Sequence, residues 1–442
     1  MLELRIDGLD DEGAGVGRDG DVEVHVAFTL PGERVRATLE HKSPHAPRAW
    51  ARLGEVLAAA PTRRAPLCPA FGRCGGCVLQ HAGYGEQLRF KRERVARALA
   101  AHPALAGVAV EECAPAPAEV GYRDVAKYVT ARLRGRTVAA SYAPRSHRPI
   151  DMRGCVVPEP EVQGAAEAAV AAAAELGVPP YDERARTGVL RYVVARSNHE
   201  GRVLLVVVAA EDFAAADALA ALVAERRPAV AGVVLDINRT TGGAILGGTG
   251  RTLAGVDHLP ERVGAITLEL GARTFFQVNR AQAGRLYDLA AELAAPRPDD
   301  VVVDLYSGIG GLALTVAPRA GRVIGIEASP DAVAAAGRAA AAAGARCEFR
   351  AADATAGLAG VDRADVVILD PPRKGCAAEV PARLLELAPR RIVYVSCDPG
   401  SLARDLARLA AGGYHATRVH PVDLFPGTAH VECVALLERD CA

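Results

Sequence analysis

The feature that most constrains the fold is a regular alternation, from about residue 271 onward, of short apolar runs with helix-forming stretches. The predicted strands are Val301–Leu305, Val323–Glu327, Val366–Asp370 and Ile392–Ser396. The predicted helices are Gly311–Ala317, Pro330–Ala343, Val380–Leu387 and Ser401–Ala411. Strands without polar alternation, separated by amphipathic helices, form a parallel sheet that is covered on both faces. We therefore expect a C-terminal α/β domain at residues 271–442.

The rest of the chain follows two other patterns. Residues 1–60 contain short alternating runs separated by turn signals such as Pro31-Gly32, which predicts a small β-barrel. Residues 61–270 mix strand-like runs with alanine-rich helical stretches and include an arginine-rich helix near Tyr84–Ala101. This mixture predicts a central α+β domain.

Composition limits the class of protein. The chain has 442 residues, of which 50% are hydrophobic, enough for two to three domains. No uncharged apolar run reaches the roughly 18 residues of a membrane span. The N-terminal segment is acidic and lacks the apolar stretch of a signal peptide. We expect a cytoplasmic protein without a membrane partner.

Cysteines supply the first candidate site. In a reducing compartment, closely spaced cysteines indicate metal binding or catalysis rather than disulfides. Of the ten cysteines, only Cys68, Cys74 and Cys77 cluster. Three clustered thiols with a distant fourth suit either a structural zinc site or an iron–sulfur cluster. Cys155 and Cys113 compete for the fourth position. Isolated cysteines are usually small buried hydrophobes, which we expect of Cys113, Cys347, Cys376, Cys433 and Cys441.

The charge distribution bears on nucleic-acid binding. The net charge is −1, but residues 61–155 carry 16 Lys and Arg against 7 Asp and Glu, whereas residues 1–60 carry 7 against 11. A local basic stretch is what binding to phosphates requires. An arginine-rich composition explains the same count equally well, since only four lysines occur in the chain. On the first interpretation, the nucleic-acid contacts would include Arg89, Lys91, Arg92 and Arg94.

A glycine turn follows the first strand of the C-terminal domain. The sequence from Val301 to Gly311 reads as a buried strand, a turn with Gly308 and Gly310, and the start of a helix. Glycines allow a sharp turn and a close approach of the backbone to a ligand. Glu327 ends the next strand, where a carboxylate can accept hydrogen bonds from a ribose diol. Gly308, Gly310 and Ala313 also match the dinucleotide-binding pattern, so this signal alone fits a dehydrogenase as well.

Three further residues indicate chemistry at the same sheet edge. Asp370-Pro371-Pro372 ends a later strand, as in methyltransferases that hold a target base beside the methyl donor. Cys397 directly follows the next strand, and a thiolate near a helix N-terminus is a competent nucleophile. Thiolate attack on C6 of uracil makes C5 reactive, after which a base must remove the C5 proton. Glu432, which interrupts the apolar final strand, is the best candidate base.

In this order, the motifs resemble the RNA uracil-5-methyltransferase family over nearly the whole chain. The motifs that carry the resemblance lie at Cys68–His81, Phe275–Asn279, Asp370–Gly375, Ser396–Pro399 and Phe425–Glu432. The resemblance implies a multidomain protein. Its parts would be a TRAM-like or OB-like barrel at residues 1–60, an α+β domain with an iron–sulfur loop at 61–270, and a Rossmann-like class I methyltransferase domain at 271–442.

The resemblance also implies cofactors and roles. S-adenosyl-L-methionine would be the methyl donor, Cys397 the nucleophile and Glu432 the base. The methyl-donor contacts carried over from the family are Gln277, Tyr306, Gly311, Glu327, Asp353 and Asp370. The family's [4Fe–4S] ligands match Cys68, Cys74, Cys77 and Cys155. In the family, the helix after the cysteine loop packs with the catalytic domain.

The expected substrate is RNA, without an obligate protein partner. 23S ribosomal RNA is favoured over transfer RNA, because the barrel and the cysteine loop resemble the branch acting on ribosomal RNA. Alternatives are methylation of cytosine C5 or of an exocyclic amine, and a non-catalytic RNA-binding iron–sulfur protein. The cytosine enzymes usually have a second cysteine after the proline motif, but Cys376 is four residues beyond Pro372. Two departures from the family are the acidic barrel and Gly427, where the family usually has histidine.

Overall fold

The computed structural model describes residues 1–240 and 242–439. The first unit is a closed five-stranded barrel with strand order β1-β2-β3-β5-β4. Its strands are β1 (Leu2–Leu9), β2 (Gly15–Asp19), β3 (Val22–Val26), β4 (Arg34–Lys42) and β5 (Arg48–Ala58). Alternate residues such as Ile6, Val26 and Val35 are fully buried inside it. The expected small barrel is confirmed.

A connecting segment and a seven-stranded sheet follow. The segment contains α1 (Tyr84–Ala100), a 3-10 turn at Pro103–Leu105 and β6 (Ala109–Val110). The sheet has the order β13-β12-β11-β10-β7-β8-β9. Its elements are β7 (Val125–Leu133), β8 (Arg136–Tyr142), β9 (Pro149–Asp151), α2 (Pro160–Glu175), β10 (Leu190–Ser197), β11 (Val203–Ala209), α3 (Ala216–Arg226), β12 (Val230–Ile237) and β13 (Thr249–Gly255). The helices α2 and α3 pack on one face of this sheet.

The C-terminal unit begins with the hairpin β14 (His258–Val263) and β15 (Ile266–Gly271). The remaining elements are α4 (Arg280–Ala294), β16 (Val301–Leu305), α5 (Gly311–Val316), a 3-10 turn (Ala317–Arg319), β17 (Arg322–Glu327), α6 (Pro330–Ala343), β18 (Cys347–Ala351), α7 (Ala354–Ala359), β19 (Val366–Leu369), α8 (Glu379–Leu387), β20 (Arg391–Ser396), α9 (Pro399–Ala410), β21 (Tyr414–Val422) and β22 (Glu432–Arg439).

An eight-stranded sheet, in the order β18-β17-β16-β19-β20-β22-β21-β6, organises this unit. Strands β16 to β20 run parallel, and β22 is antiparallel to both β20 and β21. The carboxyl ends of the parallel strands therefore meet at one edge. The expected Rossmann-like α/β domain is confirmed. No helix within the described residues is long and apolar enough to cross a membrane.

Two segments from before residue 271 pack with the C-terminal unit. Strand β6 extends the eight-stranded sheet by pairing with β21. In α1, Val95 and Leu99 are buried in the same core as β19 and β20. Leu268 and Leu270 of the β14–β15 hairpin lie in the core that contains α4. A boundary at 270/271 therefore does not follow the packing, because apolar faces of these segments complete the C-terminal core.

Candidate active site

The residues expected to act together lie along one edge of the eight-stranded sheet. Asp370 follows β19 and Cys397 follows β20. Glu432 begins β22, which runs in the opposite direction, so this first residue lies at the same edge. Since β19, β20 and β22 are neighbours in the sheet, three chemically active side chains are placed side by side.

The glycine turn after β16 has the backbone geometry of a ligand-binding loop. Gly308 and Gly310 adopt positive φ angles of 53° and 88°, which glycine tolerates best. The Gly308 N–H donates to Oε2 of Glu327 over 3.1 Å, so the second strand's carboxylate lies against the turn. A Cβ on Gly311 would lie 2.6 Å from the Tyr287 ring. Gly311 therefore has no room for a side chain.

Two residues under the turn were missed by sequence reasoning. Asp304 is fully buried in β16, and its Oδ2 accepts a hydrogen bond from the Ala313 N–H at 2.9 Å. Burial raises the pKa of Asp304 to about 8. Tyr287 of α4 packs against the turn from below. The signal for Asp304 was available, since a carboxylate inside an apolar strand is rarely buried without a role.

The other expected methyl-donor contacts surround this turn. Tyr306 is half-buried with φ of 63°. Burial, and then the nearby Cys376 thiol, raise its pKa, and Asp353 makes a smaller contribution. Asp353 also caps α7 by accepting hydrogen bonds from two backbone N–H groups at 3.0 Å. Gln277 is buried, and its Nε2 lies 3.5 Å from Oδ2 of Asp370. These side chains, from four different loops, line one end of the sheet.

Cys397 lies between β20 and α9 and is partly exposed. Asp398 is the N-cap of α9, and its Oδ1 accepts a hydrogen bond from the Ser401 N–H at 2.9 Å. Burial, followed by the charges of Glu432 and Asp370, raises the pKa of the Cys397 thiol to about 12. The thiol is therefore protonated at neutral pH unless a positive charge comes close.

Glu432 and Asp370 are neighbouring carboxyl groups, of which Glu432 is buried and Asp370 is half-buried. Glu432 is 3% exposed, and its Oε2 has no hydrogen-bond partner among the described residues. Burial, and then the charge of Asp370, raise the pKa of Glu432 well above its usual value. Burial also raises the pKa of Asp370 to about 7. An unpartnered carboxyl oxygen beside a thiol is suited to accept a proton from a bound ligand.

The loop before Glu432 is held by α1. Lys91 is fully buried and forms an ion pair with Asp423, while its Nζ also donates to the Phe425 carbonyl at 3.0 Å. Arg94 donates to the Ala429 carbonyl at 2.9 Å. The expectation that Lys91 contacts RNA is wrong, because this lysine is buried and its charge is paired with that of Asp423. The neighbouring arginines are also paired within the protein, Arg89 with Glu86 and Glu93 and Arg92 with Glu112.

The four cysteines implied by the resemblance line one cavity of about 250 Å³. These are Cys68, Cys74, Cys77 and Cys155, and all are half-buried free thiols. Burial raises the pKa of Cys77 to about 12, with contributions from the other three thiols. No group of three or more His, Cys, Asp or Glu in the described part of the chain is arranged to hold a metal ion.

The other cysteines lie elsewhere. Cys113 is buried in the core beneath α1, beside Lys91 and Asp423. Cys376 and Cys433 are buried, and Cys376 lies 3.6 Å from the Tyr394 hydroxyl. Cys347 was expected to be buried, but it is only partly buried, at the edge of the core that contains α4. Cys441 lies outside the described residues.

Comparisons with known proteins agree with this geometry. The family model described as tRNA (uracil-5-)-methyltransferase matches residues 262–440. An uncharacterised RNA methyltransferase from Halalkalibacterium halodurans is 36% identical over 99% of this chain and 97% of its own length. Another from Geobacter sulfurreducens is 37% identical over 99% of this chain and 90% of its own.

A solved structure extends the likeness to the whole fold. The Pyrococcus abyssi tRNA (uracil-54, C5)-methyltransferase, in complex with S-adenosyl-L-homocysteine, superimposes with a TM-score of 0.80 and 26% identity. The match covers 99% of this chain and 100% of the other. Sequence motifs, sheet order and relatives agree, so the chain belongs to the S-adenosylmethionine-dependent RNA (uracil-5-)-methyltransferase family.

Proposed function

We propose that this enzyme methylates C5 of a uridine in RNA by covalent catalysis, with Cys397 as nucleophile and Glu432 as base. The observation that carries the proposal is the placement of Asp370, Cys397 and Glu432 at the ends of three neighbouring strands, at the edge that also holds the glycine turn. Amine methylation uses a similar acidic proline motif but needs no cysteine, so Cys397 favours attack on a pyrimidine ring.

The residues act in a defined order. The Cys397 thiolate adds to C6 of the uracil, and the electron pair of the C5–C6 bond becomes available at C5. C5 takes the methyl group, and the donor leaves as S-adenosyl-L-homocysteine. Glu432 then removes the C5 proton, and the electrons of that C–H bond restore the double bond and expel the thiolate. Cys397 is regenerated, and the proton passes to solvent.

The charges of the site suit this order. Before binding, the raised pKa of Cys397 keeps its thiol protonated. S-adenosyl-L-methionine supplies a methyl group on a sulfonium cation, and a positive charge beside the thiol lowers its pKa. Gln277, Tyr306, Gly311, Glu327, Asp353 and Asp370 would hold the donor at the glycine turn. On this proposal, the nucleophile becomes active only when the donor is in place.

For the substrate, we infer ribosomal RNA first and transfer RNA second. The resemblance of the barrel and cysteine loop to the branch acting on 23S RNA supports the first. The full-length likeness to a tRNA (uracil-54, C5)-methyltransferase supports the second. Mass spectrometry of 23S RNA and tRNA from a deletion strain distinguishes them, because only the true substrate loses 5-methyluridine.

We also propose a [4Fe–4S] cluster in the thiol cavity. Four thiolates are the usual ligands of such a cluster. A zinc ion, held by four sulfurs at about 2.3 Å from a single point, is the alternative for the same four thiols. The cluster would connect the loop at residues 68–77 with Cys155 of the central domain.

RNA that contains 5-fluorouracil tests the covalent step. Fluorine at C5 cannot leave as a proton, so the adduct of Cys397 cannot resolve. We expect a protein–RNA band that survives denaturing gels and requires S-adenosyl-L-methionine. The Cys397→Ala variant should give no band, whereas the Cys347→Ala control should give the wild-type band. An adduct formed by Cys397→Ala would refute the proposed nucleophile.

A further inference from the structure

A cavity of about 520 Å³ opens on the face of the seven-stranded sheet opposite α2 and α3. Its walls include Tyr142 of β8, Tyr192 of β10 and Tyr181 from the preceding loop. All three rings are half-buried. We call it the tyrosine cavity. None of the proposed catalytic, methyl-donor or cluster residues lines it.

A buried cation forms part of the wall. Arg191 is 5% exposed, and its guanidinium lies 5.0 Å from the Tyr181 ring centre and 5.8 Å from that of Tyr192. One Nη donates to the carbonyls of Asn238 and Thr240 at 2.8 and 2.7 Å. The Nε–H has no partner among the described residues. A buried donor without an acceptor is costly, so a ligand that offers an acceptor here would be stabilised.

Free positive charge lines the cavity opening. Lys127 and Arg186 are exposed, and neither makes a hydrogen bond or ion pair with any residue that the structure describes. The acidic Glu183 is already engaged, since it accepts from the Tyr192 hydroxyl at 3.0 Å and lies 3.7 Å from His147. The opening can therefore pair with an anionic group such as a phosphate.

The tyrosine cavity shares one wall residue with a neighbouring cavity. Lys127 also lines a second cavity of about 120 Å³, whose far wall includes Phe275. Phe275 is 66% exposed and lies two residues before Gln277, which contacts Asp370. A strand of RNA with its target base at Asp370 can thus continue across Lys127.

We propose that the tyrosine cavity binds an unpaired nucleotide that flanks the target uridine in the RNA substrate. The base stacks against Tyr142 or Tyr192 and presents a carbonyl or ring nitrogen to Arg191, while its phosphate pairs with Lys127 and Arg186. Proteins recognise unpaired RNA bases by stacking on aromatic rings and guanidinium planes. The inference rests on the proposed function, because it needs RNA as the substrate.

Binding of a fluorescent, unstructured 12-nucleotide RNA to the full-length protein tests the stacking. Stacking on an aromatic side chain contributes about 1–3 kcal/mol per base, so Tyr192→Leu and Tyr142→Leu should weaken binding by about 5- to 150-fold for the ring that stacks. Tyr192→Phe keeps the ring and should bind within about twofold of wild type. Wild-type affinity in both leucine variants would overturn the inference. Thermal unfolding of each variant separates loss of stacking from loss of fold.

A charge variant provides an independent measurement. Lys127→Gln should flatten the salt dependence of binding by about 0.7 in logarithmic slope, the value for one phosphate of a single strand. The matched control is Arg132→Gln, on the same strand but outside the cavity. Equal slopes for the two variants would contradict the phosphate contact.

Crosslinking locates the bound nucleotide. With 4-thiouridine placed at each position of the 12-mer in turn, at least one position should crosslink to the peptides that contain Tyr142 or Tyr192. Crosslinks found only to peptides outside the tyrosine cavity would refute the assignment. If the cavity assignment fails in this way but the wild-type protein still forms the Cys397 adduct, the proposed function stands. If the wild-type protein binds no RNA at all, both the cavity assignment and the proposed function are refuted.

Discussion

Cys397, directly after β20, and Glu432, the first residue of β22, flank the Ser396–Cys433 pair that ends the contact of these two antiparallel strands. The two residues are 35 positions apart in the chain, yet the strand register fixes their approach. Burial raises the pKa of Cys397 most, and Glu432 makes the largest contribution among the neighbouring charges. A nucleophile and a base held at the ends of adjacent strands can act in turn on the two carbons of one double bond.

Replacing the base should separate the two halves of the reaction. Glu432→Gln should still attack C6 and accept the methyl group, but it should accumulate a methylated protein–RNA adduct with ordinary uracil RNA. General bases contribute roughly 10²–10⁴-fold, so release should slow by about that factor. Denaturing gels with a labelled methyl donor measure the adduct. Glu438→Gln, on the same strand, is the control. Normal turnover by Glu432→Gln would mean that a different group acts as the base.

The pH dependence of thiol reactivity follows from the same pair. The pKa of Cys397 is raised to about 12 in the unliganded protein, so its alkylation by iodoacetamide should still be accelerating at pH 10. In Glu432→Gln a neighbouring negative charge is lost and the pKa falls. The variant should therefore react faster at each alkaline pH, by roughly tenfold if the pKa falls by about one unit. Peptide mass spectrometry measures the rate, and a slower variant would contradict the electrostatic interpretation.

Local sequence signals predicted the sheet edge well. Apolar runs located β16 and β20 nearly to the residue, because strands buried on both faces have unbroken hydrophobic sequences. The same signals missed β18, whose sequence CEFRA mixes apolar and charged residues and is held by pairing with β17. They also misassigned Lys91, because its partner Asp423 is 332 residues away. Local pattern cannot report contacts made by the folded chain.

The choice of cluster ligands can be tested directly. Protein purified without oxygen should be brown and contain about four irons per chain. Cys155→Ser should lose iron, since this thiol lines the cavity with Cys74 and Cys77. Cys113→Ser should retain it, because Cys113 is buried in another core. Iron analysis and the visible absorbance of the protein provide the measurement. One equivalent of zinc without iron would contradict the cluster.

The buried ion pair between α1 and the loop before Glu432 should dominate the stability of that contact. Removing one partner of a buried pair costs about 3–5 kcal/mol, so Lys91→Met should lower the free energy of unfolding by that amount. Arg92→Met, on the same helix, breaks an exposed ion pair with Glu112, and such pairs contribute about 0–1 kcal/mol. Urea titration compares them. Similar losses in both variants would mean that Lys91 does not anchor the loop.

Gly427 joins the cysteine loop to the catalytic loop. Its carbonyl accepts hydrogen bonds from the Val78 and Leu79 N–H groups at 3.0 and 2.8 Å, and its own N–H donates to Gln87. Its φ is 79°, and a Cβ would lie 3.0 Å from Cγ of Gln80. The histidine usual in the family would therefore be strained and crowded here, so Gly427 is matched to this chain's own loop.

Replacing Gly427 should consequently disturb both the thiol cavity and the base five residues later. Gly427→Ala should reduce iron content and methylation together. The left-handed backbone alone costs an L-residue roughly 1–2 kcal/mol. Gly135→Ala controls for that cost, because Gly135 has a φ of 80° and no atom near its missing Cβ. If the two variants lose the same stability and both keep full iron and activity, the cysteine loop and Glu432 are independent. A larger loss in Gly427→Ala, with iron and methylation falling in parallel, would show that the docked cysteine loop positions the catalytic base.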